Sequence, residues 1–401
     1  MQFCAKCVYP AAAVNTVFDA DGVCSACRSS EEMASLLTAE FWQDRRRRFE
    51  QLAAQYRGMN EASYDCIIPV SGGKDSYWQA YLVKHVYGMK PLLVTYHGNN
   101  YLPEGQGNLD RMRDVLGIDH VVFGPSVDTL RKLNRIGFEV MGDMNWHAHA
   151  GIKIVPLRAA VQFHVPLLVW GEITWTVAGM FSADDYVEYN KRTVQEHDLR
   201  GYSWKDFVGR EGLTAQDLMW LRFPSDEDLA RINVRGVYVG NYFKWDPNVH
   251  AQLMRQLYQF EFARQPFERT YRMMSNLDDM HENGLHDYMK FIKFGYGRAS
   301  DHASKDIRDG YLTRAQGIAL VEKYDHVKPR RDLERWLDYV GMNEADFDRI
   351  ADGFRNPRVW WIKEGQWWKT SVSSEPKAYG PVHLSDRAAL QRYRSAPGFA
   401  A

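Results

Sequence analysis

The middle of the chain alternates short apolar runs with longer segments of helical periodicity. The apolar runs predict buried strands at 65–70, 91–96, 120–123 and 167–170. The segments between and before them predict helices at 75–87, 106–116, 126–140 and 152–164. Strands that alternate with helices form parallel sheets. The pattern therefore predicts an α/β domain, in which ligands bind beyond the carboxyl ends of the strands.

The segments around this core predict helices and one irregular insertion. Residues 30–57 are expected to form one helix, capped by Ser29 or Ser30. Within it, Arg45 to Arg48 occupy consecutive helical positions and cannot form one narrow stripe, which favours a solvated segment. Alternation fails from about 174 to 235, with short helical pieces near 182–199 and 213–221, which we interpret as a cap over the crevice. Helices are predicted again at 243–262, 313–324 and 331–355.

These boundaries give a predicted organisation in five parts. They are a cysteine-rich segment at 1–30, a linking helix at 31–62, the α/β domain at 63–240 with its insertion, a helical C-terminal region at 241–356 and a Trp-rich tail at 357–401.

Composition excludes several classes of protein. The 401 residues carry a formal net charge of -1, so overall basicity gives no sign of nucleic-acid binding. No apolar run reaches the length of a membrane span, and no secretory signal precedes Cys4. A cytoplasmic location is expected.

The first strand leads into the sequence Ser71-Gly72-Gly73-Lys74-Asp75-Ser76. Two glycines let the backbone approach an anion, and the amides at the start of the next helix point toward it. The hydroxyls and Lys74 add donors, while the Asp75 carboxylate suits Mg2+. This is not a Walker A loop, because the glycines are adjacent and Asp follows Lys. We expect a phosphate cradle that binds ATP.

Two further strand ends carry candidate site residues. Tyr96 and Asn99 follow the second strand and are expected to grip adenine, although the asparagine also suits a simple turn. Glu172 follows the fourth strand, where its carboxylate would hold Mg2+ or orient a nucleophile.

The polar stretch 142–151 contains His147 and His149. If this stretch is extended, both imidazoles lie on one side and could ligate a metal. Loop histidines that make hydrogen bonds are the favoured interpretation, and contact with substrate remains open for both.

A second charged cluster lies in the C-terminal region, at Gly295-Tyr296-Gly297-Arg298 and the helix that follows, for which Ser300 is the expected cap. On that helix Asp301, Lys305 and Arg308 share one face, with His302 at its edge. A salt-bridged solvent face would explain the spacing. The cations Lys293, Arg298, Lys305 and Arg308 around a glycine turn would also suit phosphates, which is the interpretation we favour.

Four of the five cysteines form two Cys-x2-Cys pairs, Cys4/Cys7 and Cys24/Cys27. Four thiolates in two tight turns are typical of a structural zinc knuckle. The alternative is two disulfides, which an intracellular ATP-using enzyme would rarely keep.

The six-residue loop resembles the PP-loop of the ATP pyrophosphatases, which split ATP to AMP and pyrophosphate. Together with Cys4-Ala5-Lys6-Cys7, the Phe18-Asp19-x-x-Gly22-Val23-Cys24-x-x-Cys27 stretch and Arg298-Ala299-Ser300-Asp301-His302, it resembles the N-acetyl sugar amidotransferases of bacterial surface-polysaccharide biosynthesis. The resemblance covers the chain up to about residue 357. It implies that ATP activates the acetamido oxygen of a nucleotide-linked sugar and that ammonia replaces this oxygen, giving an acetamidino sugar.

The resemblance also implies residue roles and partners. Lys74, Asp75, Glu172, Lys305 and Arg308 would be catalytic, and ammonia would come from a separate glutaminase subunit with a cyclase-like partner. The residues agree: Cys4 is claimed by zinc and Cys66 lies mid-strand, so this chain offers no nucleophile of its own for glutamine hydrolysis. A PP-loop enzyme that thiolates tRNA is the alternative, but it commonly needs cysteines near the crevice.

Overall fold

The computed structural model describes residues 1–14, 16–59, 64–172, 186–275, 277 and 282–393. Among these, five strands form a parallel sheet in the order β3-β2-β1-β4-β5. The strands are β1 (Cys66–Pro69), β2 (Pro91–Tyr96), β3 (His120–Phe123), β4 (Leu167–Trp170) and β5 (Arg235–Tyr238). The predicted α/β fold class is confirmed. Strand β5 was missed, because its four residues follow the irregular stretch after β4.

Helices cover both faces of this sheet. The helices that precede or connect the first four strands are α1 (Ser25–Leu36), α2 (Ala39–Tyr56), α3 (Lys74–Tyr81), α4 (Pro103–Leu116), α5 (Val127–Met141) and α6 (Trp146–Phe163). A π-helical turn, Leu82–Val86, extends α3. On one face Phe49 and Tyr77 join the core with Leu93, and on the other Ile154 packs with Val94.

Two predictions about these helices were wrong. Residues 30–57 form two helices rather than one, because the Thr38 side chain accepts a hydrogen bond from the Phe41 amide and starts α2 anew. Ser29 and Ser30 therefore lie inside α1. In α2, Arg46, Arg47 and Arg48 are exposed as predicted, but Arg45 is buried and lies over the rings of Phe41 and Tyr186.

Helix α6 begins six residues earlier than predicted. The predicted polar loop 142–151 ends at Asn145, and His147 and His149 lie in the first turns of the helix. Pro156 lies in the interior of this helix.

The predicted insertion at 174–235 is described only from residue 186, and the predicted helical piece 182–199 lies partly outside the described residues. The described part contains short elements: α7 (Lys191–Thr193) continuing into a π-helical turn (Val194–Asp198), 3-10 turns at Trp204–Phe207, Arg210–Gly212 and Met219–Leu221, and α8 (Asp226–Ile232). The 3-10 turn Val239–Asn241 follows β5.

The C-terminal region is helical as predicted. Its helices are α9 (Pro247–Tyr258), α10 (Asn283–Phe294), α11 (Arg298–Arg308), α12 (Arg314–Tyr324), α13 (Arg330–Val340) and α14 (Glu344–Gly353). Gly341, with a positive φ of 70°, separates α13 from α14 within the predicted helix 331–355. Ser300 is not the cap of α11: the helix begins at Arg298, and the Asp325 carboxylate accepts the amides of Gly297 and Ser300.

The Trp-rich segment folds as an antiparallel sheet of β6 (Trp361–Lys363), β7 (Gln366–Thr370) and β8 (Pro376–Pro381), followed by α15 (Arg387–Gln391). Trp360 and Trp367 are fully buried in one core with Trp336 of α13 and Phe138 of α5. The tail is therefore packed into the C-terminal region rather than appended to it.

Candidate functional site

The loop after β1 is shaped by contacts within itself. The Ser71 amide donates to Ser76 Oγ at 3.0 Å, and the Gly73 amide donates to Ser71 Oγ at 3.4 Å. Gly72 has a φ of +83°, and a Cβ there would lie 2.9 Å from the backbone of Leu109. Only glycine fits at this position, because the loop packs directly against the backbone of α4.

The two charged residues of the loop form a pair that is only half satisfied. Lys74 Nζ lies 2.7 Å from Asp75 Oδ2, and the Lys74 side chain is 14% exposed. Asp75 Oδ1 is buried and has no hydrogen-bond partner among the residues that the structure describes. A buried carboxylate oxygen left open is a ligand that Mg2+ prefers, so this residue fits the metal role.

Glu172, at the end of β4, belongs to the same electrostatic cluster. Desolvation raises the pKa of Glu172, and the Asp75 carboxylate raises it further, while Lys74, Lys305 and Arg272 act in the opposite direction. Two carboxylates close enough to interact electrostatically are suited to share a cation. The structure thus brings four predicted site residues together: Lys74, Asp75, Glu172 and Lys305. We refer to them as the PP-loop cluster.

Two residues near this cluster were missed from the sequence. His250 of α9 stacks on Trp78 of α3 with ring centroids 3.8 Å apart, and burial lowers its pKa to about 4 while Asp75 opposes this. Arg272 pairs with the buried carboxylate of Asp306. Neither lies in a recognisable motif; only the fold brings them to the loop.

A cavity of about 520 Å³ opens beside Glu172. Its polar side carries Lys305, Arg308 and Asp246, and its apolar side is formed by α1 and Trp42. Arg308 lies over the ring of Tyr9 at 5.5 Å, and its Nη1 has no hydrogen-bond partner in the described part of the chain. Lys305 is held by Asp309 at 2.9 Å. Two of the predicted cations therefore reach one cavity.

The four N-terminal cysteines converge on one point. Their sulfurs lie within 4.8 Å of one another, with Cys4 and Cys27 at 3.9 Å and Cys7 and Cys24 at 3.7 Å. All four are buried and free, which contradicts the disulfide alternative. A metal–sulfur bond of about 2.3 Å gives a tetrahedral edge of about 3.8 Å, so the cluster fits a tetrahedral metal ion.

Hydrogen bonds favour the ionised thiolates of Cys4 and Cys7. The amides of Cys7 and Cys24 point at Cys4 Sγ at 3.5 and 3.3 Å. Hydrogen bonds with Cys24 and Cys27 lower the pKa of Cys4, and the hydrogen bond with Cys24 lowers the pKa of Cys7 to about 7. The hydrogen bond with Cys24 raises the pKa of Cys27. Thiolates are the form that binds metal.

The knuckle is docked on the helices that carry the second charged cluster. Arg314 of α12 donates to the carbonyl oxygens of Cys4 and Cys7 at 3.2 and 3.0 Å. Tyr9 donates to Asp301 of α11 at 3.1 Å. The knuckle therefore supports the helix on which Lys305 and Arg308 lie.

The predicted adenine contacts are placed differently. Tyr96 is buried, stacks on Trp220 and bonds through its hydroxyl to His147 Nδ1 at 2.8 Å. Its ring is part of the core, and its part in adenine binding stays a prediction. Asn99 adopts a positive φ of 73°, which agrees with the alternative interpretation of this residue as a turn residue. Its part in ATP binding stays a prediction.

The two histidines of α6 cannot ligate one metal together, because positions i and i+2 of a helix face opposite sides. His147 is buried between Tyr96 and Asn134, which supports the hydrogen-bonding interpretation. Burial lowers its pKa to about 3. His149 instead lies beside Asp143 and His286.

The remaining predicted phosphate ligands already have protein partners. Lys293 Nζ donates to the carbonyl oxygens of Met141 and Gly142 at the end of α5, and burial lowers its pKa to about 8. Arg298 lies 2.7 Å from Asp287 and 3.8 Å from Asp301.

His302 is buried and bonds to Thr270 Oγ1 at 2.6 Å. Burial holds its pKa well below the ordinary value. A direct role for Lys293, Arg298, Asp301 or His302 in phosphate binding stays a prediction.

Comparison with known families identifies the C-terminal region. Residues 259–373 match the family model described as the C-terminal domain of WbpG-like LPS biosynthesis proteins. These residues are similar to that domain, and we refer to them as the WbpG-like domain. The match covers less than half of the chain and agrees with the link to surface-polysaccharide biosynthesis expected from the sequence. The WbpG-like domain contains the second charged cluster and most of the Trp-rich sheet. No curated protein matches the chain significantly.

Two solved structures share low similarity with the chain. NMN synthetase from Francisella tularensis is 13% identical, covers 56% of this chain and 98% of its own, and has a TM-score of 0.27. The U34-tRNA thiolase NcsA from Methanococcus maripaludis, solved with its [4Fe-4S] cluster, is 14% identical, covers 78% and 87%, and has a TM-score of 0.28. Both scores are too low to support an inference about this chain.

Two further observations concern membrane spans and the fifth cysteine. Within the described ranges, the helices are all too short or too polar to cross a bilayer. Cys66 is fully buried in β1, and burial raises the pKa of its thiol, which makes it a poor nucleophile.

Proposed function

We propose that the protein is an ATP-dependent amidotransferase. It adenylates the acetamido oxygen of a nucleotide-linked N-acetyl sugar and replaces that oxygen with nitrogen from ammonia. The products are an acetamidino sugar, AMP and pyrophosphate, and the sugar serves lipopolysaccharide biosynthesis. The WbpG-like domain supports the pathway, and the PP-loop supports the chemistry.

One observation carries the proposal most directly: Asp75 keeps a buried carboxylate oxygen open beside Lys74, Glu172 and Lys305. A structural ion-pair cluster has no reason to leave such an oxygen without a partner. A site that receives Mg2+ and a triphosphate does.

The reaction divides into two steps. The amide oxygen attacks the α-phosphorus of ATP, the bond to the bridging oxygen breaks, and pyrophosphate leaves. Ammonia then adds to the amide carbon, loses its extra protons to solvent or a base, and expels AMP with the former amide oxygen. Adenylation is needed because an amide oxygen is otherwise a poor leaving group.

The residues of this chain act mainly on the charge that develops on pyrophosphate. Ser71, Gly72, Gly73 and Ser76 offer amides and hydroxyls to its oxygens, and Lys74 and Lys305 neutralise it. Asp75 and Glu172 would hold Mg2+, which screens the phosphates when bound. Arg308 extends positive charge into the adjoining cavity.

Mass spectrometry tests the reaction. Candidate nucleotide-linked acetamido sugars are incubated with the protein, ATP, Mg2+ and ammonium. The product should be lighter by the difference between O and NH, and AMP should appear with it in equal amounts. A sugar lacking the acetamido group is the control. AMP formation that depends on tRNA and sulfide, with no change in any sugar, would favour thiolation instead.

We also propose that ammonia arrives from a separate glutaminase subunit, with a cyclase-like partner. The support is that Cys4, Cys7, Cys24 and Cys27 form the knuckle and Cys66 is buried in a strand. The isolated chain should therefore use ammonium salts but not glutamine. Glutamine-dependent turnover by the isolated chain, free of contaminating glutaminase, would contradict this.

The metal of the knuckle is proposed to be structural Zn2+. All four ligands come from the protein, so no position remains for water or substrate. Its proposed role is to hold α11 in place through Tyr9 and Arg314.

A further inference from the structure

A second group of metal-ligand side chains lies at the start of α6. One carboxylate oxygen of Asp143 and one ring nitrogen each of His149 and His286 lie within 4.8 Å of one another. Asp143 precedes α6, His149 lies in its first turns and His286 lies on α10. The group therefore joins the α/β domain to the WbpG-like domain, and no role in the amidotransferase reaction accounts for it.

From this geometry we infer a second metal site, for a divalent first-row transition ion, with Asp143, His149 and His286 as ligands. Two imidazoles and one carboxylate suit such ions, and three protein ligands leave a position for water or another ligand. The inference is independent of the proposed reaction.

The spacing of the donor atoms supports this site. A metal–ligand bond of about 2.1 Å places neighbouring donor atoms about 3.0–3.4 Å apart. Asp143 Oδ1 and His286 Nδ1 are already 2.9 Å apart. His149 Nε2 is a buried nitrogen with no hydrogen-bond partner in the described residues. Buried imidazole nitrogens normally have a partner, and a metal ion would supply one.

The surroundings of Asp143 resemble the outer contacts of a metal ligand. Its side chain is fully buried, Oδ1 accepts the Asn145 amide at 3.0 Å, and the Arg200 guanidinium pairs with Oδ2. A ligating carboxylate is usually oriented by such partners. Metal binding to Oδ1 replaces only the contact with His286 and leaves the pairing with Arg200 in place.

The nearby ammonium of Lys293 does not compete for the position. It donates to the carbonyl oxygens of Met141 and Gly142. The group therefore combines one carboxylate with two imidazoles, whereas the knuckle offers four thiolates. This chemical difference makes the two sites distinguishable in one experiment.

Cobalt titration of the full chain, stripped of metal and kept reduced, separates them. Co2+ at the knuckle gives intense sulfur-to-metal charge-transfer absorption, while Co2+ bound by nitrogen and oxygen gives only weak visible bands. We expect two equivalents in the wild type, one of each spectral kind. Cys24→Ser should lose the charge-transfer band and keep the weak bands.

The variants His149→Gln and His286→Gln should each lose the weak bands and retain the thiolate band. His164→Asn is the matched control, because His164 is an exposed histidine at the other end of α6 and asparagine tolerates its positive φ of 55°. The retained thiolate band also reports that each variant is folded. Binding of the thiolate equivalent alone by the wild type, or weak bands that persist in both glutamine variants, would overturn the inference and leave a hydrogen-bonded carboxylate–imidazole cluster.

Discussion

Two charged clusters of this protein differ in how their carboxylates are satisfied. In the PP-loop cluster, Asp75 pairs with Lys74 through one oxygen and keeps the other open. In the cluster around Arg298, the Asp287 carboxylate accepts Arg298 on one oxygen and Arg269 on the other, at 2.9 and 2.8 Å. The PP-loop cluster can therefore still bind a ligand. In the cluster around Arg298 both carboxylate oxygens of Asp287 are already used, and we call this cluster closed.

The difference shows which charges are available for chemistry. Removing both partners of a closed buried pair from water costs free energy that only their mutual contacts recover, so such a pair contributes rigidity or specificity. An open carboxylate oxygen gains a partner only when a ligand arrives. The predictions below test this contrast, from the largest expected effect to the smallest.

Asp75→Asn should abolish ATP cleavage while leaving the fold intact. The substitution keeps the shape of the side chain but removes the charge that would hold Mg2+. Loss of one transition-state contact costs about 100- to 1,000-fold in rate, and loss of the metal adds to this. Pyrophosphate release measures the effect.

Thermal unfolding of the same variant is the control for its fold. A variant that melts with the wild type but releases no pyrophosphate supports an open site at Asp75. Normal pyrophosphate release by Asp75→Asn would contradict the assignment of this loop as a PP-loop.

Asp287→Asn should have the opposite phenotype. It leaves the buried Arg269 and the partly buried Arg298 without their shared carboxylate, which costs about 3–5 kcal/mol of stability. Denaturant unfolding measures this loss. ATP cleavage per folded molecule should change far less than in Asp75→Asn, and equal loss of activity in both variants would show that the contrast between the clusters is wrong.

Local patterns predicted much of this molecule. Periodicity and spacing were sufficient to find the PP-loop, the first four strands and the paired cysteines, because each of these features consists of residues that are close in the sequence. The partners of the charged residues are not local: Asp287 meets Arg298 from a separate helix, and Lys293 reaches the end of α5 about 150 positions earlier.

The ring partner of Tyr96 is also distant in the sequence. Tyr96 follows a strand as a site residue should, but Trp220, in the irregular insertion, packs on its ring. Charge and position along the chain indicate which residues are able to bind phosphate. Only the tertiary contacts show which of them remain open.

Cys24→Ser should affect the open cluster more than the closed one. Loss of a thiolate removes the metal and the folding free energy that its binding supplies to the knuckle. The contacts of Tyr9 with α11 and of Arg314 with the knuckle are then weakened. Lys305, which lies on α11, is therefore held less firmly in place. We expect loss of metal and about a tenfold fall in ATP cleavage.

Metal analysis and native alkylation check this prediction. In the wild type, the four cysteines should be protected until a chelator is added. A metal-free wild type whose cysteines all react freely would mean that the knuckle site does not exist.

The smallest effect concerns acid stability of the closed cluster. Desolvation opposes ionisation of Asp287, but Arg298 and Arg269 outweigh it and hold its pKa below the ordinary value. A carboxylate with a lowered pKa in the folded state stabilises the protein fully above its unfolded pKa, about 3.9, and this contribution is lost as pH falls through the folded pKa. The stability difference between wild type and Asp287→Asn should therefore be constant near neutrality and narrow below about pH 4. Denaturant unfolding at pH 6 and pH 3 would measure it, with Asp44→Asn, which removes an exposed carboxylate of α2, as a control that should change stability little at either pH. If the difference in unfolding free energy between wild type and Asp287→Asn is the same at both pH values, the charge of Asp287 does not stabilise the protein. The closed cluster would then contribute to stability through packing alone.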